Sequence, residues 1–275
     1  MNKSAQKLFI FFLLFLLNIT LPAQSVSPDY NYALYNTTAQ FIYSESVADS
    51  FLIYISVPND YNESGNNYPV LYVLDGDIAF GMAASIARYL QIGGNIPELI
   101  VVGIGYGSVD KSAAEKRLRD YGPQQGEGAE KFRSFLNNEL IPYIDSEYRT
   151  ASGDRTINGF SLGGLFVLYT LFTKPDTFSR YIAGSPYLVW DDYSIFNFEK
   201  SAADKINELN INLFISVGSE ESTEKYFQPI DSLVTNIQKQ DYPNLMLDTK
   251  VFDGSTRLMG PPEALTHGLI SVFNR

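Results

Sequence analysis

The sequence predicts an α/β fold, in which a mostly parallel central sheet carries helices on both faces. Two observations indicate this class. Segments typical of buried strands alternate along the chain with segments typical of helices. The strand segments at 69–74 and 99–104 are apolar almost throughout, as expected of central strands covered on both faces. A chain of 275 residues with 45% hydrophobic content is also long enough to bury an extensive core.

The predicted elements follow one another in a consistent order. Two early strands are expected to form an antiparallel edge, and the second of them alternates apolar and polar residues. The apolar spacing over 126–140 is that of one helix face. The predicted strands are 39–43, 51–57, 69–74, 99–104, 157–159, 181–183, 213–217 and 247–252, and the helices are 78–90, 126–140, 162–172 and a last one that two prolines begin at 261.

A Gly-x-Ser-x-Gly motif centred on Ser161 is the most informative stretch of the chain. It is typical of a nucleophile elbow, a sharp turn from a strand into a helix that projects a serine hydroxyl outward. Its flanks agree, because a turn at 152–154 and a short strand at 156–157 precede it and a buried helix at 162–172 follows. A chance Gly-Ser-Gly loop is the alternative, and the flanking strand and helix favour the elbow.

The first 23 residues are expected to be a secretory signal peptide. Two lysines precede an apolar run that is too short for a membrane span, and a small residue at Ala23 suits cleavage after it. An uncleaved anchor is the alternative. We therefore expect a signal peptide at 1–23, a short segment at 24–37 and one domain at 38–275, with a periplasmic or secreted location and no stable membrane span after cleavage.

Composition and charge exclude several classes of function. The chain has no cysteine, so disulfides, thiolate chemistry and a lipid-bearing cysteine are absent. Its net charge of −11 would fall to −13 with the loss of the two signal lysines, and such a surface repels nucleic acid. We find no histidine or cysteine cluster, no calcium loop and no glycine-rich phosphate loop, and we therefore expect no metal and no cofactor.

Several runs around the Ser161 motif resemble the esterase family of α/β-hydrolases, which includes enterochelin-type siderophore esterases, feruloyl esterases and esterase D-like enzymes. These runs follow one another in the family's order and cover about residues 38–273. They are 68–77, 102–106, 119–123, 139–144, 183–186 and 217–221. The resemblance implies the α/β-hydrolase fold, Ser161 as the nucleophile, and a small-molecule substrate such as a siderophore, feruloyl or acyl-sugar ester.

The resemblance also implies an oxyanion hole and an acid. The amide of Leu162 would be one donor, and a second would come from the turn after the third strand, at Gly76 or Asp77. The acid should follow the seventh strand, where Glu220 and Glu221 both qualify by position. The family pattern favours Glu221. The alternative interpretation is a pair of solvated surface carboxylates.

The slot of the family's catalytic histidine holds Arg257. The family has a histidine at the end of a G-x-[TS]-H pattern before the last helix, and this chain has Gly-Ser-Thr-Arg at 254–257. The run at 262–269 matches beyond it without a gap. His267 is the only histidine and keeps the nucleophile–acid–base order, but it lies ten residues past the slot, inside the predicted last helix. We expect Arg257 beside Ser161 and keep His267 as the alternative base.

Arginine stays protonated and cannot serve as a general base, so it would pair with Glu221 or bind an anion near Ser161. The leading hypothesis is ester or acyl hydrolysis through Ser161, impaired by this substitution. The alternatives are a silent hydrolase scaffold that binds a ligand or partner, and an acyltransferase. Two further features are open. The basic run at 116–119 is expected to pair with acids rather than to clamp a substrate, and Trp190 either anchors a loop or lines the substrate mouth.

Overall fold

The computed structural model describes residues 34–123, 127–207, 209–240 and 242–274. The predicted signal peptide and most of the segment after it lie outside these ranges. Within them, no helix combines the length and the apolar character that crossing a bilayer requires. The division into a signal peptide and one domain therefore stays a prediction.

The central sheet has the order β1-β2-β4-β3-β5-β6-β7-β8. Neighbouring strands from β4 to β8 run parallel, whereas β1 with β2 and β2 with β4 are antiparallel. The strands are β1 (Thr37–Ser44), β2 (Asp49–Ser56), β3 (Tyr68–Val73), β4 (Ile100–Gly105), β5 (Thr150–Phe160), β6 (Arg180–Gly184), β7 (Ile211–Gly218) and β8 (Leu245–Phe252). The predicted parallel sheet with an antiparallel edge is confirmed.

Helices cover both faces of this sheet. The helices are α1 (Gly76–Ile92), α2 (Lys111–Tyr121), α3 (Gly128–Phe135), α4 (Ile141–Glu147), α5 (Leu162–Thr173), α6 (Ile195–Lys200), α7 (Ala203–Ile206), α8 (Gln228–Gln240) and α9 (Gly260–Phe273). Helices α1 and α9 pack on one face, and α3, α5 and α8 pack on the other. Alternation along β3 divides its side chains between the two cores, with Leu71 and Val73 under α1 and Val70 and Tyr72 under α5.

Three local predictions need correction. The expected turn at 152–154 lies inside β5, because the ladder with β3 shifts register there and Gly153 takes a φ of 75°. The predicted helix at 126–140 continues through a π-turn (Leu136–Leu140) into α4, since Pro142 has no N–H to give to the regular helical ladder. The list of predicted helices is also incomplete, because it omits α2, α6, α7 and α8.

Candidate active site

Ser161 occupies the turn between β5 and α5, at the carboxyl end of a central strand. Its backbone lies at φ 58° and ψ −114°, a region that L-residues rarely adopt. Three hydrogen bonds hold it there: its amide donates to Gly184 O, and its carbonyl accepts from the amides of Leu165 and Tyr187. A Cβ on Gly159 would lie 2.4 Å from the carbonyl oxygen of Gly163, so the elbow requires glycine there. The predicted strand–turn–helix is confirmed.

The residues predicted to donate to an oxyanion lie at the starts of two helices. Leu162 is the first residue of α5, and Gly76 and Asp77 are the first two residues of α1, so none of these amides has an acceptor within its own helix. The Asp75 carboxylate approaches the start of α5, because a Cβ on Gly163 would lie 3.4 Å from its Oδ2. The two helix starts therefore lie close to each other, and Asp75 and Ser161, the residues that precede them, line the same cavity.

The Asp77 carboxylate stabilises the start of α1. Its carboxylate accepts hydrogen bonds from the amides of Tyr106 and Gly107 and from the Tyr54 hydroxyl. These bonds tie the start of α1 to β2 and to the loop after β4. Burial, followed by the hydrogen bond to Asp77 and the negative charge of that carboxylate, raises the pKa of Tyr54 to about 12. Only the backbone N–H of Asp77 thus remains for a bound ligand.

Glu221 points into the protein and Glu220 points out of it. Glu221 is 7% exposed, and its Oε1 accepts from the Ser185 hydroxyl and from the Gly218 amide. Its Oε2 is buried without a partner in the described residues. The amide of the exposed Glu220 donates to Ser255 O, which joins this turn to the loop that carries Arg257. Of the two carboxylates, Glu221 is thus the buried one, and its role as the acid stays a prediction.

The Arg257 guanidinium lies directly against the predicted nucleophile. Its Nη2 donates to Ser161 Oγ over 2.6 Å, and the guanidinium carbon lies 5.1 Å from the centre of the Tyr226 ring. In the described ranges, no ion pair joins Arg257 to a carboxylate. Two arrangements of Arg257 were expected, pairing with Glu221 or a position near the Ser161 hydroxyl, and the structure has the second. The reason is that Ser185 and Gly218 turn the Glu221 carboxylate inward, while Arg257 extends across Tyr226 toward Ser161.

His267 is not brought to this cleft. It is exposed on α9, and its ring lies 5.1 Å from the Phe252 ring. It sits in the middle of the helix, two turns beyond Gly260. The cleft walls at Ser161 contain Arg257 and do not include this histidine in the part of the chain described.

Two connected cavities meet at Ser161. One has a volume of about 460 Å³ and an aromatic and cationic wall. The other has about 290 Å³ and a mainly aliphatic wall. Ser161, Arg117 and Arg257 border both. The first cavity also contains Tyr187, Trp190, Lys225 and Tyr226, and the second contains Ile78, Ala79, Met82, Leu258 and Pro261. This pair of cavities has room for the two halves of an ester on either side of the serine.

Arg117 connects the two strand ends beneath the cleft. Its Nε and Nη2 donate to the two carboxylate oxygens of Asp75 over 2.6 and 2.9 Å, and Nη2 also reaches Phe160 O over 3.3 Å. The expected pairing of the basic run with acids is thus present, and Arg117 is at the same time part of the cleft wall. The Asp75 amide donates to the Tyr121 hydroxyl, and burial raises the pKa of Tyr121, which keeps this hydroxyl neutral.

Sequence reasoning missed Lys225 and Tyr226. Both belong to the π-turn (Thr223–Phe227) that follows the loop after β7. The available signal was their position, because loops at the carboxyl ends of parallel strands converge on the ligand site of an open α/β sheet. In the described ranges, no group of three or more histidine, aspartate or glutamate side chains is arranged to hold a metal ion.

Comparison with known proteins places this chain among esterases. Residues 44–251 match the family described as "Putative esterase". Ferri-bacillibactin esterase BesA of Bacillus subtilis is 32% identical over 214 residues, which are 69% of this chain and 72% of the relative. A siderophore triacetylfusarinine C esterase of Aspergillus fumigatus is 29% identical over 202 residues, 66% of this chain and 68% of the relative. The crystal structure of the BES protein from Bacillus cereus superposes with a TM-score of 0.82 at 25% identity, covering 90% of this chain and 99% of that one.

Proposed function

Because this chain belongs to the esterase family of α/β-hydrolases and is a serine hydrolase of carboxylic esters, we propose that it attacks its substrate through Ser161 without a histidine base. The single observation that carries this proposal is the 2.6 Å hydrogen bond from Arg257 Nη2 to Ser161 Oγ. The guanidinium occupies the place where the family's base would accept the serine proton. Arginine stays protonated, so it orients the hydroxyl and does not deprotonate it.

The reaction has two steps. Ser161 Oγ bonds to the ester carbonyl carbon, and the developing oxyanion is stabilised by the Leu162 amide together with the amide of Gly76 or Asp77. Departure of the alcohol leaves an acyl-enzyme, which water then hydrolyses. Glu221 is the acid of this arrangement. No histidine accepts the proton of the Ser161 hydroxyl. Simple neutral esters are therefore hydrolysed slowly, at a rate that reflects the oxyanion hole and substrate binding alone.

The substrate is a small-molecule ester of the siderophore type. The names of the relatives support this class, since BesA is a ferri-bacillibactin esterase and the Aspergillus fumigatus protein is a triacetylfusarinine C esterase. The aromatic wall with Tyr187, Trp190 and Tyr226 supports it as well, because flat or aromatic groups stack on such side chains. Feruloyl esters and acyl-sugar esters are the alternative substrates within the same class of small-molecule esters.

We also propose that the protein is exported, with cleavage after Ala23 and a periplasmic or secreted location. The N-terminal charge and apolar run support it. The intact mass of the protein recovered from an expressing cell would reveal the cleavage, whereas a full-length chain in the membrane fraction would indicate an uncleaved anchor.

The base assignment is tested by comparing wild type, Ser161→Ala, Arg257→His and His267→Ala on one activated aryl ester at neutral pH. We expect slow wild-type turnover above that of Ser161→Ala. Arg257→His should raise the rate about ten-fold or more, because a positioned general base is restored. His267→Ala should equal wild type, since His267 is exposed on α9 away from the cleft.

Two outcomes would contradict the proposal. Fast wild-type turnover that collapses in His267→Ala would restore His267 as the base. Equal background rates in wild type and Ser161→Ala would instead favour a silent scaffold that binds a ligand in the cleft. Covalent labelling of Ser161 by an alkyl fluorophosphonate, read by mass spectrometry, separates a reactive serine from a silent one in the same preparations.

A further inference from the structure

The proton of the Ser161 hydroxyl has no acceptor in the described part of the chain. Ser161 Oγ itself accepts from Arg257, and it is 5% exposed. A hydroxyl that accepts from a guanidinium still has one O–H to donate. Ser161 lines both cavities, so a ligand in either one can reach its hydroxyl. The acceptor that serine attack requires must therefore arrive with the ligand or as water.

The same cleft wall carries positive charge that the protein leaves uncompensated. Arg257 and Lys225 both line the larger cavity, where Arg257 lies over the Tyr226 ring, and both residues are exposed. Within the described ranges, neither forms an ion pair with a carboxylate. Arg117 differs, because Asp75 neutralises it. In a chain with a net charge of −11, two such cations beside the serine favour an anionic ligand.

Neighbouring acids do not neutralise these cations. The Glu221 carboxylate is turned inward toward Ser185 and Gly218, and the exposed Glu220 accepts from Ser219. Since a guanidinium presents parallel N–H groups, it suits a carboxylate better than a neutral ester group. Nη2 holds Ser161, so a carboxylate bound to the rest of the Arg257 fork would lie next to the serine hydroxyl.

We propose that the preferred substrates are esters whose acyl part carries a carboxylate, and that this carboxylate replaces the missing histidine. The inference rests on Ser161 being the nucleophile. Arg257 holds the substrate carboxylate beside Ser161, and the carboxylate accepts the hydroxyl proton as the serine attacks. A correctly positioned base contributes about 10²–10⁴-fold in general. Arg257, at the position of the family's histidine, then makes the enzyme selective for monoesters of dicarboxylic acids.

Protons and bonds balance in this scheme. As the bond from Ser161 Oγ to the carbonyl carbon forms, the Oγ proton moves to the substrate carboxylate and the carbonyl electrons move to the oxyanion. The oxyanion collapses, the bond to the alcohol oxygen breaks, and the carboxylic acid returns the proton to the departing alcohol. The acyl-enzyme keeps the carboxylate, which next accepts a proton from the attacking water. It finally returns that proton to Ser161 Oγ, and the product leaves as a dicarboxylic acid monoanion whose new carboxyl group loses its proton to water.

The test compares two 4-nitrophenyl esters of equal reach, 4-nitrophenyl hydrogen glutarate and its neutral methyl ester. Because the glutarate anion also assists its own hydrolysis, the Ser161→Ala rate is subtracted for each compound. We expect wild-type kcat/KM to be about ten-fold or more higher for the anionic ester. In Arg257→Gln the ratio of the two rates should fall to about one, because the substrate carboxylate loses the guanidinium that holds it; the ratio separates this effect from any equal loss on both esters.

A second variant, at Lys225, should lose only part of the preference for the anionic ester, and the chain offers a matched control for it. Lys225→Gln should reduce the preference for the anionic ester part of the way, because it removes one of the two cations. The matched control is Lys131→Gln on α3, a surface lysine whose partner is Glu127 and which is remote from the cleft wall. It changes net charge equally and should leave the preference as in wild type. Arg257→His should raise the neutral-ester rate and abolish the preference.

Several results would overturn the inference. Equal wild-type rates on both esters, or a preference that persists in Arg257→Gln, would remove the role of the substrate carboxylate. If Arg257→Gln does not fold, inhibition of wild type decides: monomethyl glutarate should inhibit at concentrations at least about ten-fold lower than dimethyl glutarate, and equal inhibition contradicts the inference. Failure of the underlying function differs from both, because Ser161→Ala would then equal wild type on either ester.

Discussion

Glu221, the proposed acid, is buried and makes no contact with the Arg257 guanidinium. Its Oε1 is engaged by Ser185 and Gly218, while its Oε2 is buried without a partner in the described residues. Buried carboxylate oxygens normally have hydrogen-bond partners, so the unused Oε2 marks an acceptor position with no donor. We expect a histidine introduced at position 257 to donate a ring N–H to this oxygen. The proposed acid, Glu221, and the residue at the base position, Arg257, are therefore not joined by a hydrogen bond.

If a histidine at position 257 restores this hydrogen bond, substitution of Glu221 should matter more in the Arg257→His variant than in wild type. In the Arg257→His background, Glu221→Gln should remove most of the restored esterase activity, about ten-fold, because the new imidazole loses the carboxylate that orients it. Glu220→Gln is the matched control and should change the rate less than two-fold, since Glu220 is exposed. Steady-state kinetics on an aryl ester measures both. A rate that is lost in the Glu220 variant and kept in the Glu221 variant would reverse the assignment.

Single residues differ in how far the sequence predicts them. The backbone setting of Ser161 was predictable because the motif and its flanking strand and helix are local. The contact from Arg257 to Ser161 was one of two predicted options, and the choice depended on tertiary packing. The Tyr226 ring supports the guanidinium, and Ser185 turns Glu221 away from it. Neither neighbour is close in sequence to the residue it affects.

At the scale of elements, the β5–α5 turn depends on close backbone approach. Gly159 faces the first turn of α5 at a distance that leaves no space for a side chain. The turn also holds Ser161 in its unusual backbone conformation, through hydrogen bonds to β6 and to the loop that follows it. The position of the nucleophile is therefore set by strand and helix packing rather than by the serine side chain.

Gly159→Ala should accordingly lower both stability and activity. The added methyl would meet the Gly163 carbonyl oxygen, and forced overpacking of this kind costs about 1–3 kcal/mol. Thermal unfolding and the Ser161-dependent esterase rate would both decline. Gly65→Ala is the matched control, because a Cβ at Gly65 meets no atom within 4 Å. Equal melting temperatures for the two variants would refute the close-approach argument.

Strands and buried helices were more predictable than polar helices. The sheet could be predicted because its central strands are continuously apolar. Helix α2 was missed because its residues are mostly polar: of its eleven residues, only Ala113, Asp120 and Tyr121 are buried. Ion pairs hold it instead, from Lys116 and Arg119 to Asp49. Partners so distant in sequence leave no periodic pattern within the helix itself.

At the scale of the whole molecule, stability includes the cost of a buried acid. Glu199 on α6 is 1% exposed, and its Oε1 has no partner in the described residues. Burial raises the pKa of Glu199 above its usual value of 4.5, although Lys200 and Tyr242 act in the opposite direction. The folded state therefore favours the protonated form. Protonated Glu199 contributes to the free energy of unfolding at a pH below its usual pKa. This contribution is lost as the pH rises through the raised pKa of the folded state.

Glu199→Gln should therefore stabilise the protein in a pH-dependent manner. The variant cannot ionise, so its melting temperature relative to wild type should increase as the pH rises from about 4 to about 8. Melting curves across this pH range measure the difference. The exposed Glu224→Gln serves as control and should show a flat difference. A Glu199→Gln difference that shrinks with rising pH would mean that the buried carboxylate is stabilised by its surroundings.

The Arg117 bridge has a consequence for the thermodynamics of recognition. By binding Asp75 and Phe160 O together, it fixes the spacing between the ends of β3 and β5 before any substrate is present. Little conformational entropy then remains to be lost when a ligand spans the two cavities. We infer that the cleft is preorganised, so that discrimination between esters arises from complementarity of charge and shape rather than from closure around the bound molecule.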